Sequence, residues 1–498
     1  MRKALWMMTA CATLLSTPTL AQTAGKLTLV EAGNVRSAWD MASDDAYLGA
    51  RAGCYETLTT VDFDGQLKPL LATAWKQASA DAWDFTIRDG VKFQDGTPLN
   101  AETAANALNQ LLKAGIPARA FSSKFVKSVE TVGDKTVRIT TLEPSVLLPS
   151  QVAAPATTIL APAAYKDGKI NPINNCTGPF AITRIDPSQG MSLKRNDAYW
   201  GEKAALATAE VKFIPDGNGR ATQARTGEGD ISRMIPPAAL SQLRSMPNLK
   251  LAEVPVPRTL MMLLNNKKAP LDDVRVRQAI QAAIDNAAIG AAVYEGTFPA
   301  AMGPFRPGDP WAPKDQKPTY DVEKAKKLLA DAGIKPGTLK LRLWGYVSRA
   351  EMKDVGAIVQ EMLSKVGITV ELRMAEYNAI EPDMLAGNFD MAFMSRGYLT
   401  DVPEPIGFLS ADYSCTGSFN LAHYCNPDVD ADLKKALTTT DLSQRLEIYR
   451  KLGAKIQAEA INVFLVHESV FDAYSTKVKN YRPHPLNYFG LTPSVSVN

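Results

Sequence analysis

The chain has 498 residues, 46% of them hydrophobic and 21% charged, and its 55 lysines and arginines against 52 acids leave a formal charge of +3. That length suits two or three packed domains, and the near balance of charge excludes the basic footprint of a nucleic-acid-binding protein. Beyond the N-terminus no apolar run approaches the ~18 residues of a membrane span, and there is neither a short repeat nor a low-complexity tract.

Residues 1–21, MRKALWMMTACATLLSTPTLA, place Arg2 and Lys3 ahead of a mostly apolar run that ends in Thr19, Leu20 and Ala21. This pattern predicts an export signal cleaved after Ala21, a periplasmic address, and a mature chain from Gln22 carrying a formal charge of +1. Lipoprotein processing at Cys11 would leave about five apolar residues ahead of it, short of the ~7 that the apolar region of a signal needs. In an oxidising compartment the four remaining cysteines, Cys54, Cys176, Cys415 and Cys425, favour disulfides. Cys415 and Cys425 bracket TGSFNLAHY, a loop whose closure stabilises the fold by about 3 kcal/mol. Cys54 and Cys176 are too far apart to pair from sequence. His423 lies between the close pair, but four metal ligands at a recognisable spacing are absent, so the disulfide is preferred and no metal or cofactor is expected.

After the signal, KLTLVEA (26–32) alternates as a strand, and DAYLGARAGCYETLTTV (45–61) reads as a helix leading to a turn. Short strands and Asp-Gly turns at 64–65, 89–90 and 95–96 then mark a small α+β insertion. In LNNKKAPLDDVRVRQAIQAAIDNAAI (264–289), Val276, Ala279, Ile280, Ala283, Ile284 and Ala287 share one helical face that Asp272 or Asp273 can cap. Arg275 and Arg277 lie on different faces of that helix, so they do not form one phosphate clamp. Further on, VEKAKKLLADAG and DVGAIVQEMLSKVG read as helices ending at glycines, alternating with the strands LKLRLWGY, ITVELRM and FDMAFMS. This is a second α/β domain, whose ligands would sit at the carboxyl ends of strands. VFLVHESVFDAYS (463–475) adds a last strand before an irregular crossing segment. G-x-S-x-G, the Walker phosphate loop and H-E-x-x-H are missing, and the three histidines lie beside no obvious nucleophile, so no catalytic residue is expected.

Five phrases occur in order: GQLKPLLATAWKQASADAWDFTIRDGVKFQDGTPLNAE, CTGPFAITRIDPSQGMSLKRNDAYWGEKAALATAEVKFIPD, LLNNKKAPLDDVRVRQAIQAAIDNAAI, YDVEKAKKLLADAGI and GYLTDVPEPIGFLS. Together they resemble the bacterial extracellular solute-binding proteins of family 5, the peptide-, nickel-chelate- and opine-binding components of ABC transporters. The resemblance implies an α/β, two-lobed periplasmic binding protein fold, type II and cluster C-like, with an extra α+β subdomain in lobe I. Lobe I would comprise 22–257 plus 476–498, with the subdomain at 58–175, and lobe II 258–475. It also implies a monomer that closes on a small molecule and docks on permease subunits in the inner membrane. The first expectation for that ligand is a short peptide or amino-acid-derived solute, the second an opine-like or nickel-chelate solute. From a different class, an exported chaperone or enzyme on the same fold remains the alternative.

The resemblance also places site residues. Asp401, in GYLTDVPEP, matches the aspartate that pairs with a peptide's ammonium group, and Tyr398 takes the place of an aromatic that covers it. Arg349 resembles the carboxylate-binding arginine of dipeptide binders, with Arg396 as its local competitor. Asn34 and Asn420 are candidate polar contacts, and Arg119 and His423 would meet a chelate. The arginine that nickel-chelate binders carry before TTILAP is replaced here by VAAPA.

Overall fold

The computed structural model describes residues 25–498 apart from 116, 119–120, 348, 350 and 400–401. The signal segment with Cys11, together with Arg119 and Asp401, lies outside the described residues.

Ten strands form one sheet in the order Phe180–Asp186, Gly190–Arg195, Thr208–Phe213, Lys26–Glu31, Ile231–Ser232, Asn462–Ser475, Leu249–Leu264, Met391–Gly397, Leu339–Tyr346 and Ile368–Ala375. Two buried clusters flank it, making the molecule a two-lobed α/β protein. One cluster draws on residues 27–231 and 478–495, the other on 235–473 together with Leu147 and Ala224. In the first half of the sheet Lys26–Glu31 runs parallel to both neighbours. In the second, Leu339–Tyr346 does the same. The alternating patterns of KLTLVEA, LKLRLWGY and FDMAFMS become these strands because each lies in a sheet carrying helices on its faces.

The two longest strands, Leu249–Leu264 and Asn462–Ser475, are antiparallel and pass through both halves. Leu249 to Pro255 pair with Ser475 to Ser469, whereas Thr259 to Leu263 pair with His467 to Asn462. Between them the register slips, and Val256, Pro257 and Arg258 oppose the single residue Glu468. Pro255 and Pro257 lack the N–H that would continue the ladder, so this is where the sheet can bend. A further link joins the halves where the Val146 N–H donates to the Leu437 carbonyl at 3.2 Å.

The inserted segment forms a four-stranded antiparallel sheet of Ala72–Ser79, Ala82–Ile87, Thr136–Thr141 and Val126–Val132, with helix Ala101–Leu112 against it. That helix starts at a reciprocal cap between Asn100 and Thr103. The chain end is tied to the first lobe through a buried network. Arg233 bonds Glu31 and Asn487, Arg51 pairs with Glu31 at 3.1 Å, and the Tyr481 hydroxyl donates to Asp472 at 2.6 Å. Burial pushes the Glu31 carboxyl up, but Arg233 and then Arg51 outweigh it and hold it below its usual range.

The periodic stretch 276–287 departs from one continuous helix. Val274–Ala283 is capped by Asp273, Ile284 is extended, and Asp285 caps a second helix, Asn286–Tyr294. An aspartate side chain that accepts the Ala288 N–H at 3.0 Å offers the backbone a fresh N-terminus in place of continuation. Arg275 pairs with Asp273 at 2.6 Å, while buried Arg277 donates to the carbonyls of Leu271, Asp272 and Glu459. Both arginines are structural.

Candidate ligand-binding site

In open α/β sheets ligands bind in the crevice outside the carboxyl ends of parallel strands. In the second lobe those ends carry Tyr346, Ser395 and, three residues past its strand, Arg349. Arg349 donates through Nη1 to the Glu468 carboxylate at 2.8 Å and through Nε to Glu351 at 2.7 Å. Its Nη2 bonds no described residue, so the Nη edge of the fork is open to a further carboxylate. Glu468 is the residue opposite the sheet bulge, and it also accepts from Ser395 Oγ at 2.6 Å. Ser395 is held from two sides: Arg258 donates to its carbonyl at 3.0 Å, and its N–H donates to the Tyr346 hydroxyl at 3.2 Å. Arg306 donates to the Glu468 carbonyl at 2.7 Å.

Three guanidiniums, Arg258, Arg306 and Arg349, thus face two carboxylates, Glu351 and Glu468. The cluster carries one net positive charge at the junction of the lobes. Burial opposes ionisation of Glu468, yet Arg349 and then Arg258 hold its carboxyl below the usual range. Burial likewise opposes the charge on Arg349, and Glu468 and Glu351 together raise it above its ordinary value. Next to it, His467 Nδ1 lies 3.0 Å from Thr259 Oγ1, whose proton goes to the Pro304 carbonyl at 3.1 Å. The histidine is therefore the Nδ1–H tautomer, and burial followed by Arg306 pushes its pKa down to about 3.

The other expected residues are placed differently. Tyr398 is 2% exposed, and its hydroxyl donates to Asp309 at 2.6 Å while its ring meets Phe305 edge-on at 5.4 Å. It is a core tyrosine and not a cover over open solvent. Arg396 makes a two-pronged pair with Asp412, at 2.6 and 2.9 Å, and lies 4.5 Å over the Phe419 ring. Asp412 is pushed up to about 6 by burial, against the pull of Arg396. Asp412 thus takes the Nε and Nη2 edge of Arg396. Asn34 follows the first strand as expected, half-buried, accepting from Arg36 Nε at 3.2 Å.

Cys415 and Cys425 are bonded, as are Cys54 and Cys176. One side of the short loop meets the strand beside the bulge, where its Phe419 ring packs on Arg396, the partner of Thr259. Its Asn420 and His423 line a polar cavity of about 710 Å³ with Asn266 and Lys267. Those two follow Leu264, at the end of the long strand remote from lobe I. Asn420 gives its amide to the Ser414 and Tyr424 carbonyls, and His423 Nε2 meets the Met384 carbonyl at 2.9 Å. Both residues hold the loop together.

Glu468, Ser395, Arg258 and Arg306 were not foreseen from sequence. One signal was present: Glu468 is an acid inside the mostly apolar run VFLVHESVF, and a buried charge needs partners.

The profile of bacterial extracellular solute-binding proteins, family 5 (middle), matches residues 66–420. The chain belongs to this family. It is a solute-binding protein and not an enzyme, the periplasmic component that hands its ligand to an ABC importer. Among its relatives, heme-binding protein A of Haemophilus influenzae is 28% identical over 462 residues, covering 85% of this chain and 83% of that one. The dipeptide-binding protein of Escherichia coli is 27% identical over 455 residues, covering 84% of each. NikA from Brucella suis, solved with Fe(III)-EDTA, superposes with a TM-score of 0.83 at 26% identity, over 95% of this chain and 100% of that one.

Proposed function

We propose that this binding protein captures a short peptide or amino-acid-derived solute through a free carboxylate, with Arg349 as the anchor. The observation that carries the reading is the open Nη edge of Arg349, held in place by Glu468 and Glu351 beside the sheet bulge. A carboxylate there would meet a fixed, partly desolvated fork within a cluster of net charge +1, which suits one carboxylate. Asp401 would receive the solute's ammonium from lobe II. The lobes would divide at the bulge, with 255–259 and 467–469 as the hinge and the strand end 470–475 moving with lobe I, alongside its partners 249–254.

The test begins by identifying, by mass spectrometry, the ligand released when the purified protein is denatured. Calorimetric titration of that ligand into wild type and Arg349→Met follows. Loss of one partner from a desolvated charge pair typically costs ~2–5 kcal/mol, so affinity should fall roughly 30-fold to several thousand-fold. Masking the solute's carboxylate as an amide should reproduce the loss. Binding within about threefold of wild type in either case would remove Arg349 as the anchor.

A second reading is favoured by the likeness to NikA: a carboxylate-bearing metal chelate would meet the same arginines. Among the described residues no cluster of three or more His, Cys, Asp or Glu is placed to hold a metal ion. In this reading the chelator supplies the ligands, and metal analysis of the isolated protein separates the two.

A further inference from the structure

A second cavity, of about 440 Å³, is lined entirely by residues between 37 and 170 and so lies wholly outside the arginine cluster of the other lobe. Its walls come from the loop beyond the first strand, the end of helix Ala101–Leu112, the segment around Thr158 and the hairpin Tyr165–Ile170. Met41, Leu111 and Ile170 give it an apolar side. Lys113, Lys166 and Lys169 stand exposed around it, and none pairs with a carboxylate of a described residue. Among the described residues the one acid in the lining is Asp40, whose carboxylate accepts the Ala42 N–H at 3.0 Å. Thr158 is 3% exposed, lines the cavity, and its hydroxyl has no hydrogen-bond partner among the described residues. A buried hydroxyl without a partner is costly, so this one is matched to whatever fills the space.

We propose that this cavity is a second small-molecule site, independent of the cleft, for an amphipathic monoanion. Its apolar body lies along Met41, Leu111 and Ile170, and its carboxylate or phosphate head meets the lysines. The volume falls within the ~300–1,000 Å³ range of ligand pockets, and an apolar wall with a few convergent polar groups is their usual make-up. Three cations against one acid select the sign of the head group. Because the lysines are exposed, their attraction is screened by salt, and binding should weaken as ionic strength rises.

Titration of the mature protein with decanoate, decyl phosphate, decanol and decylammonium at low salt tests the site. The two anions should bind one per chain, about tenfold or more tighter than decanol or decylammonium, and should lose that margin in high salt. The exposed triple variant K113E/K166E/K169E should lose about tenfold in decanoate affinity with an unchanged melting temperature, and Thr158→Val a few-fold. Arg349→Met, which disables the proposed cleft anchor, should leave decanoate binding intact, and this separates failure here from failure of the cleft reading. The proposal is overturned if neither anion binds, if decylammonium binds as well as decanoate, if the triple variant binds like wild type, or if Arg349→Met abolishes binding.

Discussion

Glu468 decides the net charge of the arginine cluster. It lies on the strand that crosses between lobes and joins Arg349 and Ser395 through one carboxylate oxygen. Glu468→Gln keeps an acceptor of the same shape but raises the net charge of the cluster from one to two. A solute with two carboxylates should then gain about tenfold on its singly charged analogue, and the salt dependence of its binding should steepen. Competition calorimetry measures the ratio; an unchanged ratio would show that Glu468 does not face the bound solute. The resemblance put Arg349 forward as a candidate, but the carboxylate that positions it, 119 residues away, is not visible in the sequence.

His484 provides a residue-scale test of pH. Its Nε2–H donates to the Val61 carbonyl at 3.0 Å, and Nδ1 accepts from the N–H of Leu486 at 3.2 Å and of Tyr488 at 3.4 Å, so the neutral ring is built in. Burial pushes its pKa down to about 4, against the upward pull of the Val61 and Asp62 backbone and with help from Arg233. The unfolded chain, with an ordinary pKa near 6.5, then holds more protons than the folded one between those two values. The sign follows: this contribution is full above about pH 6.5 and is lost as pH falls toward about 4, by up to ~1.4 kcal/mol per unit. Urea unfolding of wild type and His484→Gln at pH 7 and pH 5 should show the shallower pH dependence in the variant. Parallel curves would refute it.

Among the elements, the two disulfides differ in what they close. Cys415–Cys425 spans a separation of 10 and Cys54–Cys176 one of 122. Loop-closure entropy assigns them about 3 and about 5 kcal/mol, so the C54A/C176A double variant should lower the unfolding free energy more than C415A/C425A. Chemical denaturation under non-reducing conditions reads the difference, and equal losses would mean that strain or residual structure outweighs loop length. The short bridge was readable because its ends are close in sequence. The long one depends on the first lobe bringing Cys54, after its opening helix, beside Cys176. The helix at 274 shows the opposite limit: its apolar spacing continues to 287, but Asp285 ends it locally, and periodicity does not register a cap inside a run.

For the whole molecule, the bulge at Val256–Arg258 and the crossing strands define how closure would work. Contacts made to both lobes at once would draw them together, and the Val146–Leu437 hydrogen bond marks a second place where the lobes already touch. Saturating ligand, at about 100 times its dissociation constant, should raise the unfolding free energy by about 2.7 kcal/mol and reduce the radius of gyration in solution scattering. A thermal shift with an unchanged radius would place the ligand in a site that does not need closure.

The sequence by itself determined the alternation of strands and helices, the α+β insertion, the family, the expectation of export and the close disulfide. Each of these rests on residues near one another in the chain or on phrases that carry their meaning in order. Only the tertiary structure decided that Arg396 is bonded to Asp412, that Tyr398 is buried on Asp309, and that Asn420 and His423 of the Cys415–Cys425 loop line a cavity with Asn266 and Lys267. The physical reason is that an arginine's role depends on which carboxylate reaches it first. That partner arrives through sheet order and strand crossing, and periods of two or 3.6 residues carry no record of either.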